Sequence, residues 1–359
     1  MEHLIPQVWF DPLNTWLLIL IALAAIAVLV KGADMLVDGA SGLAYKIGMP
    51  KVIVGATIVS LGTTSPEAAV SVMAAWSGEA GLALGNAVGS IIADTGLIFG
   101  IGCLMAVLPA DKFVLNRQGW VQFGSGVLLA AICYLMFCLD GNLAVLGRWV
   151  GLLFLGLLVG YLIVSVKWAR QHPEGEPFIA TDDVTKVTMV TGETESQAKS
   201  DKVIRLIALL VLGLVVVILS SRVLVCSATV VAIRLGIPQT VISATLIALG
   251  TSLPELATAI SCIRKGHMEL LVGNIIGADI LNVLFVVGAA AVAAPLPIVE
   301  NGNRIFLSLH LPTMLIILVL FRIFIFKAIR LGHFSRWMGV PLLVIYTAFV
   351  LICYLSGQH

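Results

Sequence analysis

Residues 60–68 read SLGTTSPEA and residues 248–256 read ALGTSLPEL, each in the middle of a long apolar run. Both stretches carry a proline followed by a glutamate, Pro66-Glu67 and Pro254-Glu255. Proline lacks an N–H and its ring clashes with the carbonyl four residues before it, so it interrupts a helix. Because the same interruption stands beside the same acidic side chain twice, we expect the two stretches to serve one common purpose.

The composition is that of a membrane protein. Of the 359 residues, 60% are hydrophobic and only 11% are charged, whereas a soluble domain is about 25% charged. The N-terminus, MEHLIPQVWFDPLN, has no basic segment before its apolar run, so we expect no cleaved signal peptide. All six cysteines fall in apolar segments without metal-ligand spacing, and we predict that they are buried free thiols.

Hydropathy and helix-breaking residues predict an all-α polytopic protein with ten transmembrane helices. We place them near residues 14–45, 52–76, 80–107, 119–139, 145–168, 203–234, 240–263, 269–294, 304–326 and 337–356. One long polar segment, 171–202, divides them five and five. We therefore predict a first five-helix unit over 1–168, a linker over 169–202 and a second unit over 203–359.

The two units are internal repeats related by a constant shift of 188 residues, which needs no gap between the motifs at 55–100 and 243–288. The shift aligns Gly62 with Gly250, Thr63 with Thr251, Pro66 with Pro254, Glu67 with Glu255, Asn86 with Asn274, and Pro109 with Pro297. Such self-similarity identifies a duplicated unit.

A repeat of five helices is odd in number, so the second copy must enter the membrane from the opposite side. Basic residues are concentrated in alternate connections, including the linker, and the positive-inside rule then places the linker in the cytoplasm and both termini outside. A plasma or inner membrane fits this orientation. Inverted repeats are the architecture of secondary transporters, whose site lies near the midplane between the repeats.

The interrupted helices are expected to make a cation site. We predict that Pro66 frees carbonyls from Ser60 to Thr63, and that Pro254 does the same from Ala248 to Thr251. Glu67 and Glu255 would repel each other unless a cation sat between them. Carboxylates, carbonyls and hydroxyls without nearby Cys or His are the ligands of calcium, sodium or magnesium. The alternative is a proline kink with a structural ion pair, but no lysine or arginine lies near these glutamates in the sequence.

The third and eighth helices supply the opposite walls of the predicted site. Polar residues form one stripe on each helix: Asn86, Ser90 and Asp94 on the third, and Asn274 and Asn282 on the eighth. Asp279 lies three residues before Asn282, on an adjoining part of the eighth helix. The shift aligns Asp94 with Asn282 but Asp279 with Ile91, so the site is only quasi-symmetric. Glycines at i and i+4 on both helices are typical of close packing.

The first helix carries Lys31, Asp34 and Asp38 at spacings of three and four residues. These three charges are expected to neutralise one another along one helix face or to line an entrance. Direct ligation of an ion by them is not expected, because the aligned residues of the second repeat are not acidic.

The motifs GTTSPE and GTSLPE, followed by GNAVGS and GNIIGAD, resemble the two alpha repeats of the cation/calcium antiporter superfamily, and above all the prokaryotic sodium/calcium exchangers. The resemblance covers essentially the whole chain. It implies an antiporter, not an enzyme, that exchanges calcium for sodium by alternating access in a lipid bilayer, without cofactor, nucleic acid or obligate protein partner.

The resemblance also implies roles for individual residues. Glu67 and Glu255 would be the central pair shared by calcium and sodium, with Asp279 as the acidic ligand of the second repeat. The hydroxyl and carbonyl ligands would come from Thr63, Thr64, Thr251, Ser252, Ser60 and Ala248. The long first and sixth helices would be gating helices that slide across a fixed core.

The sequence departs from the family pattern where Ile91 replaces an asparagine and where Ala87 and Ile275 replace small hydroxyl residues. Asp94, one turn from Ile91, is a candidate replacement ligand. These changes leave the coupling ion open between sodium and the proton. A passive cation channel is a further alternative, and for an intramembrane enzyme the sequence offers no nucleophile–base pair.

Overall fold

The structure, a computed structural model, describes residues 7–171, 195–235, 248–299 and 302–356. Its helices follow the predicted spans, which we number 1 to 10; most of the linker and predicted residues 240–247 lie outside the described ranges. Within those ranges eight helices are long and apolar enough to cross a membrane. The eight are span 1 (Thr15–Ile47), span 3 (Ala80–Met105), span 4 (Lys112–Asp140), span 5 (Arg148–Gln171), span 6 (Glu195–Arg234), span 8 (Met268–Ala293), span 9 (Phe306–Leu331) and span 10 (Gly339–Ser356).

Spans 2 and 7 are built from shorter pieces. Span 2 consists of Lys51–Val54, a π-helical turn at Gly55–Val59, Ser60–Thr63 and Ser65–Trp76, and the described part of span 7 consists of Ala248–Thr251 and Leu253–Lys265. Each last piece has its proline in the first turn, where the missing N–H would have no helical partner. The predicted restart of both helices is therefore confirmed.

Four two-residue strands show how the repeats are arranged. Strand β1 (Leu108–Pro109) pairs with β4 (His333–Phe334), and β2 (Val145–Leu146) pairs with β3 (Leu296–Pro297). Span 4 runs from β1 to β2, whereas its repeat equivalent, span 9, runs from the level of β2 to the level of β1. Equivalent spans are thus antiparallel, which confirms the predicted inversion of the two repeats.

Spans 3 and 8 form the centre of the molecule. In the apolar stretch of span 8, 83% of the residues are buried, and in span 3 72%, against 22% in span 6. Span 8 meets span 2 backbone to backbone, since a Cβ on Gly277 would lie 2.5 Å from Ala56 Cα and from Ser60 Oγ. The predicted close approach at the paired glycines is confirmed on this side.

Spans 1 and 6 pack against each other as a pair across the core. A Cβ on Gly39 would lie 2.6 Å from the backbone nitrogen of Leu210, and one on Gly213 would lie 2.4 Å from that of Leu36. Gly62, in the interrupted part of span 2, packs in turn against Leu214 of span 6. The pair therefore covers the region in which the helices are interrupted.

The acidic residues of span 1 have partners on span 7. Asp38 Oδ1 lies 2.6 Å from Lys265 Nζ and Asp34 Oδ1 lies 3.8 Å from Arg264, and Asp34 also accepts a 2.7 Å hydrogen bond from Ser261 Oγ. The expectation that Lys31, Asp34 and Asp38 neutralise one another is wrong, because the two acids form their ion pairs with the cations at the end of span 7.

The cysteines are only partly as predicted. Cys103, Cys133, Cys226 and Cys262 are buried, whereas Cys138 is exposed and Cys353 is half-buried. Cys138 is exposed because only 33% of the apolar stretch of span 4 is buried inside the protein.

The contact between spans 2 and 8 can be tested by adding one methyl group. We expect Gly277→Ala to lower the melting temperature in detergent, since overpacking costs about 1–3 kcal/mol and the new Cβ would overlap Ala56. Gly160→Ala is the matched control, because that glycine has open space around it on span 5. Equal melting temperatures for the two variants would contradict the packing described here.

Candidate functional site

Four carboxyl side chains are buried at the centre of the protein. Glu67, Asp94, Glu255 and Asp279 are each only 1% exposed. Asp94 and Asp279 lie near the midpoints of spans 3 and 8. Among the described residues no lysine or arginine forms an ion pair with any of the four, so the alternative of a structural ion pair finds no support there.

Glu67 and Glu255 occupy equivalent places at the two interruptions. Each lies in the first turn of its restarted helix, where the helix dipole favours a negative charge. The hydroxyl of Thr64, at the first interruption, reaches the Glu255 carboxyl at the second, so the two interruptions meet. Glu67 Oε2 and Glu255 Oε2 are buried without a hydrogen-bond partner in the described part of the chain.

Hydroxyl and amide groups surround the glutamates in a repeat-related pattern. Thr63 Oγ1 lies 3.4 Å from Asn274 Oδ1, and its equivalent Thr251 Oγ1 lies 3.3 Å from Asn86 Oδ1. Thr64 Oγ1 lies 3.4 Å from Glu255 Oε1. These contacts are at the long end of the range for hydrogen bonds, so the oxygens converge without being tightly bonded to one another.

Two further predicted residues meet across spans 3 and 7. Ser252 Oγ lies 3.5 Å from Ser90 Oγ, and both side chains are 2% exposed. Asn86 is half-buried and its Nδ2 donates to the Glu67 carbonyl at 3.3 Å and to Ser71 Oγ at 3.0 Å. Ser71 was not predicted, although it lies one helical turn from Glu67 and shares its buried face.

The prediction that the Ser60 carbonyl loses its helical donor is wrong, while its role as a cation ligand stays a prediction. This carbonyl accepts a 2.8 Å hydrogen bond from the Thr64 N–H, because the helix continues through Thr63 before the chain turns. Pro66 instead removes the donor that would normally reach the Gly62 carbonyl. The side chain of Ala248 lies outside the described residues, and the role of its carbonyl stays a prediction.

A second polar cluster lies on spans 3 and 8. Asn282 Nδ2 donates to Asp94 Oδ2 at 3.4 Å, which joins the two residues that the repeat shift aligns. Asp279 Oδ2 accepts two short hydrogen bonds, from Thr95 Oγ1 at 2.5 Å and from Gln122 Nε2 at 2.6 Å. Sequence reasoning missed Thr95 and Gln122. For Gln122 the available signal was a lone amide within an apolar span, which is a functional indicator in membranes.

The ligands that this arrangement offers are oxygens of carboxylates, hydroxyls and amides. Within the described ranges no three Asp, Glu, His or Cys side chains come close enough to hold a metal ion by themselves. A cation bound here would therefore need hydroxyl, amide or carbonyl oxygens in addition to the carboxylates. Such a ligand set suits hard cations and disfavours soft metals.

Comparison with known proteins places this arrangement in a family. A model of the family described as sodium/calcium exchanger protein matches the chain twice, at residues 17–167 and 205–355. The sodium/calcium exchanger MaX1 of Methanosarcina acetivorans is 30% identical over 352 residues, which cover 93% of this chain and 98% of that protein. The inner membrane protein YrbG of Escherichia coli is 33% identical over 275 residues, or 76% of this chain and 79% of that protein.

The fold is also that of a solved exchanger. The structure of the sodium-calcium exchanger NCX_Mj soaked with 10 mM Na+ and zero Ca2+ superimposes with a TM-score of 0.75 at 23% sequence identity, covering 94% of this chain and 99% of that one. The double family match, the relatives and the inverted ten-span fold agree with one another. This multi-pass integral membrane protein belongs to the sodium/calcium exchanger family.

Proposed function

We propose that the protein is a secondary antiporter that exchanges calcium for sodium across the membrane by alternating access. The observation that carries the proposal is the pair Glu67 and Glu255, buried at repeat-related helix interruptions, each with one oxygen that has no partner among the residues the structure describes. The family is a transporter family, and a relative aligned over nearly its full length is named a sodium/calcium exchanger.

The chemistry of exchange follows from the charge of the glutamate pair. Two buried carboxylates can be neutralised by one divalent cation or by monovalent cations, but not by both sets at once. If only neutralised forms pass between the inward- and outward-facing states, then each passage carries one kind of cargo. The hydroxyls of Thr63, Thr64, Thr251 and Ser252, with the amides of Asn86 and Asn274 and the hydroxyl of Ser90, complete the proposed ligand set.

The proposed moving part is the pair of spans 1 and 6. The two helices pack tightly through Gly39 and Gly213, so they can move as one body. At one end the pair is attached to span 7 by the ion pairs of Asp34 and Asp38. At the other end the two helices hold each other, through the apolar side chains of Leu18, Cys226 and Val230 and through hydrogen bonds from Arg234 to Thr15 Oγ1 and the Asp11 carbonyl. These contacts within the pair also favour movement of spans 1 and 6 as one body.

We place the protein in a plasma or inner membrane with both termini outside and the linker in the cytoplasm. The paired strands β1 and β4 mark one end of the molecule, and the basic residues Lys112, Lys327, Arg330 and Arg336 flank them in sequence. The positive-inside rule assigns that end to the cytoplasm.

Coupling to protons is the second candidate, and one observation favours it. Ile91, Ala87 and Ile275 are buried at 0–1% exposure within spans 3 and 8, and they contribute no side-chain oxygen there. Fewer oxygens leave fewer ligands for sodium, while carboxylates can also be neutralised by protons.

Transport by purified protein in liposomes separates the candidates. We expect an outward sodium gradient to drive calcium-45 uptake, and Glu67→Gln or Glu255→Gln to reduce it at least about tenfold, because loss of a charged ligand exceeds about 1.4 kcal/mol. Glu79→Gln, at the exposed start of span 3, is the matched control and should transport normally.

Each other outcome of that assay has a definite meaning. Uptake driven only by an outward proton gradient would replace sodium with protons as the coupling ion. Equal uptake with a sodium gradient, a proton gradient or no gradient would contradict antiport and indicate a passive channel.

The orientation can be checked with fusions to green fluorescent protein, which fluoresces in the bacterial cytoplasm and not after export in unfolded form. A fusion within the linker, after residue 185, is expected to fluoresce, and a fusion at the C-terminus is expected to stay dark at equal expression. The reverse pattern would show that the orientation proposed from the basic residues is wrong.

A further inference from the structure

A cluster of polar and charged side chains joins four spans at one end of the molecule, away from the central carboxyls. Span 8 begins at Met268 and ends just before strand β3, so the preceding residue, His267, lies at the opposite end, that of β1 and β4. The end of span 1 and the start of span 2 meet His267 there. In the proposed orientation this end faces the cytoplasm.

The hydrogen bonds of His267 define its protonation state. Its Nδ1 lies 3.1 Å from Lys51 Nζ on span 2, and its Nε2 lies 3.2 Å from Ser41 Oγ on span 1. An ammonium group has three donors and no acceptor, so Nδ1 must accept from Lys51. His267 is therefore neutral in this arrangement, and its one ring proton is on Nε2, where it is donated to Ser41.

Further contacts attach span 1 to the end of span 7 beside this histidine. Asp38 Oδ1 lies 2.6 Å from Lys265 Nζ, and Lys265 Nζ also donates to the Asp34 carbonyl at 3.0 Å. Span 1 belongs to the proposed moving pair, whereas spans 2, 7 and 8 belong to the core around the carboxyls. These contacts must therefore break when the pair slides at this end. We call the set the latch: Asp34, Asp38, Ser41, Lys51, Lys265 and His267.

The residues of the latch are not repeated at the other end of the molecule. The shift of 188 residues aligns them with residues that form neither its ion pair nor its histidine contact: Cys226 for Asp38, Ser77 for Lys265 and Glu79 for His267. Contacts needed only to fold the inverted repeats would be expected in both copies. The one-sided latch therefore indicates a role that differs between the two sides of the membrane.

A proton added to His267 acts directly on the latch. Burial, and then the charge of Lys51, lower the pKa of His267 from its ordinary 6.5, while Lys265 acts in the same direction and Asp38 opposes it. Protonation at Nδ1 removes the acceptor for Lys51 and places two positive charges side by side. The latched arrangement is thus favoured while His267 is neutral, and it is lost as the pH falls through the pKa of His267.

We infer that this latch holds the cytoplasmic side of the transporter closed, and that a cytoplasmic proton bound by His267 releases it. The proton site is regulatory and is separate from the cation site, because it lies at the connections between spans 1 and 2 and between spans 7 and 8. The inference rests on the proposed function, since it takes spans 1 and 6 as the moving part and this end as cytoplasmic.

Calcium-45 uptake into sodium-loaded everted membrane vesicles tests the inference, because the cytoplasmic face of the full-length protein then meets the buffer. Saturating calcium prevents protons from competing at the carboxylates. We expect the initial rate to rise at least about threefold between about pH 7.5 and about pH 6, since each half unit of pKa difference between two states changes their ratio by that factor. His267→Gln, which stays neutral, is expected to lose this rise. Equal pH responses of the wild type and His267→Gln would contradict the inference.

Variants at the other end of the molecule are matched controls. His310→Gln changes a histidine in the first turn of span 9 and should keep the full pH response. Asp38→Asn is expected to raise the rate at neutral pH toward the wild-type rate in acid, because the ion pair with Lys265 is lost. Asp140→Asn, exposed at the far end of span 4, should leave the rate unchanged. Equal rates for Asp38→Asn and Asp140→Asn would show that the ion pair does not hold the gate.

A covalent link across the latch provides a second test that does not depend on the effect of one substitution. In a chain with Cys138 and Cys353 replaced by serine, Asp38→Cys and Lys265→Cys are joined by a short bis-methanethiosulfonate reagent. We expect exchange to stop and to return when a reductant cleaves the link. Undiminished exchange by fully linked protein would overturn the latch. Wild-type vesicles without sodium-dependent calcium uptake at any pH would instead overturn the proposed function.

Discussion

The structure depends on four carboxylates buried near the middle of the spans, with which no cationic side chain of the described ranges forms an ion pair. Such charges are tolerated inside a bilayer only where they serve ion or proton pathways. Their environment fits that use, because one oxygen of each carboxyl has no hydrogen-bond partner among the described residues, while hydroxyl and amide groups contact the carboxyls of Glu255, Asp94 and Asp279. The helix interruptions, the close helix contacts and the pair of covering spans all serve to place these oxygens.

The pseudo-two-fold relation between the repeats explains how one short motif makes a whole site. Inversion brings Thr63 to Asn274 and Thr251 to Asn86 in matching contacts, and it places Asp94 against Asn282, its own equivalent. The relation is broken at Asp279, whose aligned residue is Ile91. At each of these two aligned pairs only one residue is acidic, so a less symmetric polar cluster lies beside the symmetric glutamate pair.

Much of this was predictable from the sequence, and the reasons are physical. Hydropathy identifies the spans, and the constant shift of 188 residues between similar motifs identifies the repeats. A glutamate next to a proline is conspicuous in any apolar run. Thr95 and Gln122 were missed because their role depends on which helices face Asp279. The spacing of residues along one helix does not show which other helices pack against it. The Ser60 carbonyl was wrongly expected to lose its donor, because a proline removes only the donor to the carbonyl four residues before it, which is that of Gly62. Asp38 was misassigned for a similar reason, since its partner Lys265 lies in the other repeat.

The most direct test of the account is to locate the ion. Crystals of the protein grown with strontium in place of calcium should show an anomalous difference peak between Glu67 and Glu255, slightly farther from the free oxygen of each than the about 2.3–2.6 Å of calcium ligands. The account predicts this peak in the wild-type protein and its loss in Glu255→Gln. A peak elsewhere in the protein, or none between the two glutamates at saturating strontium, would contradict the claim that the interrupted helices and their carboxylates form the cation site.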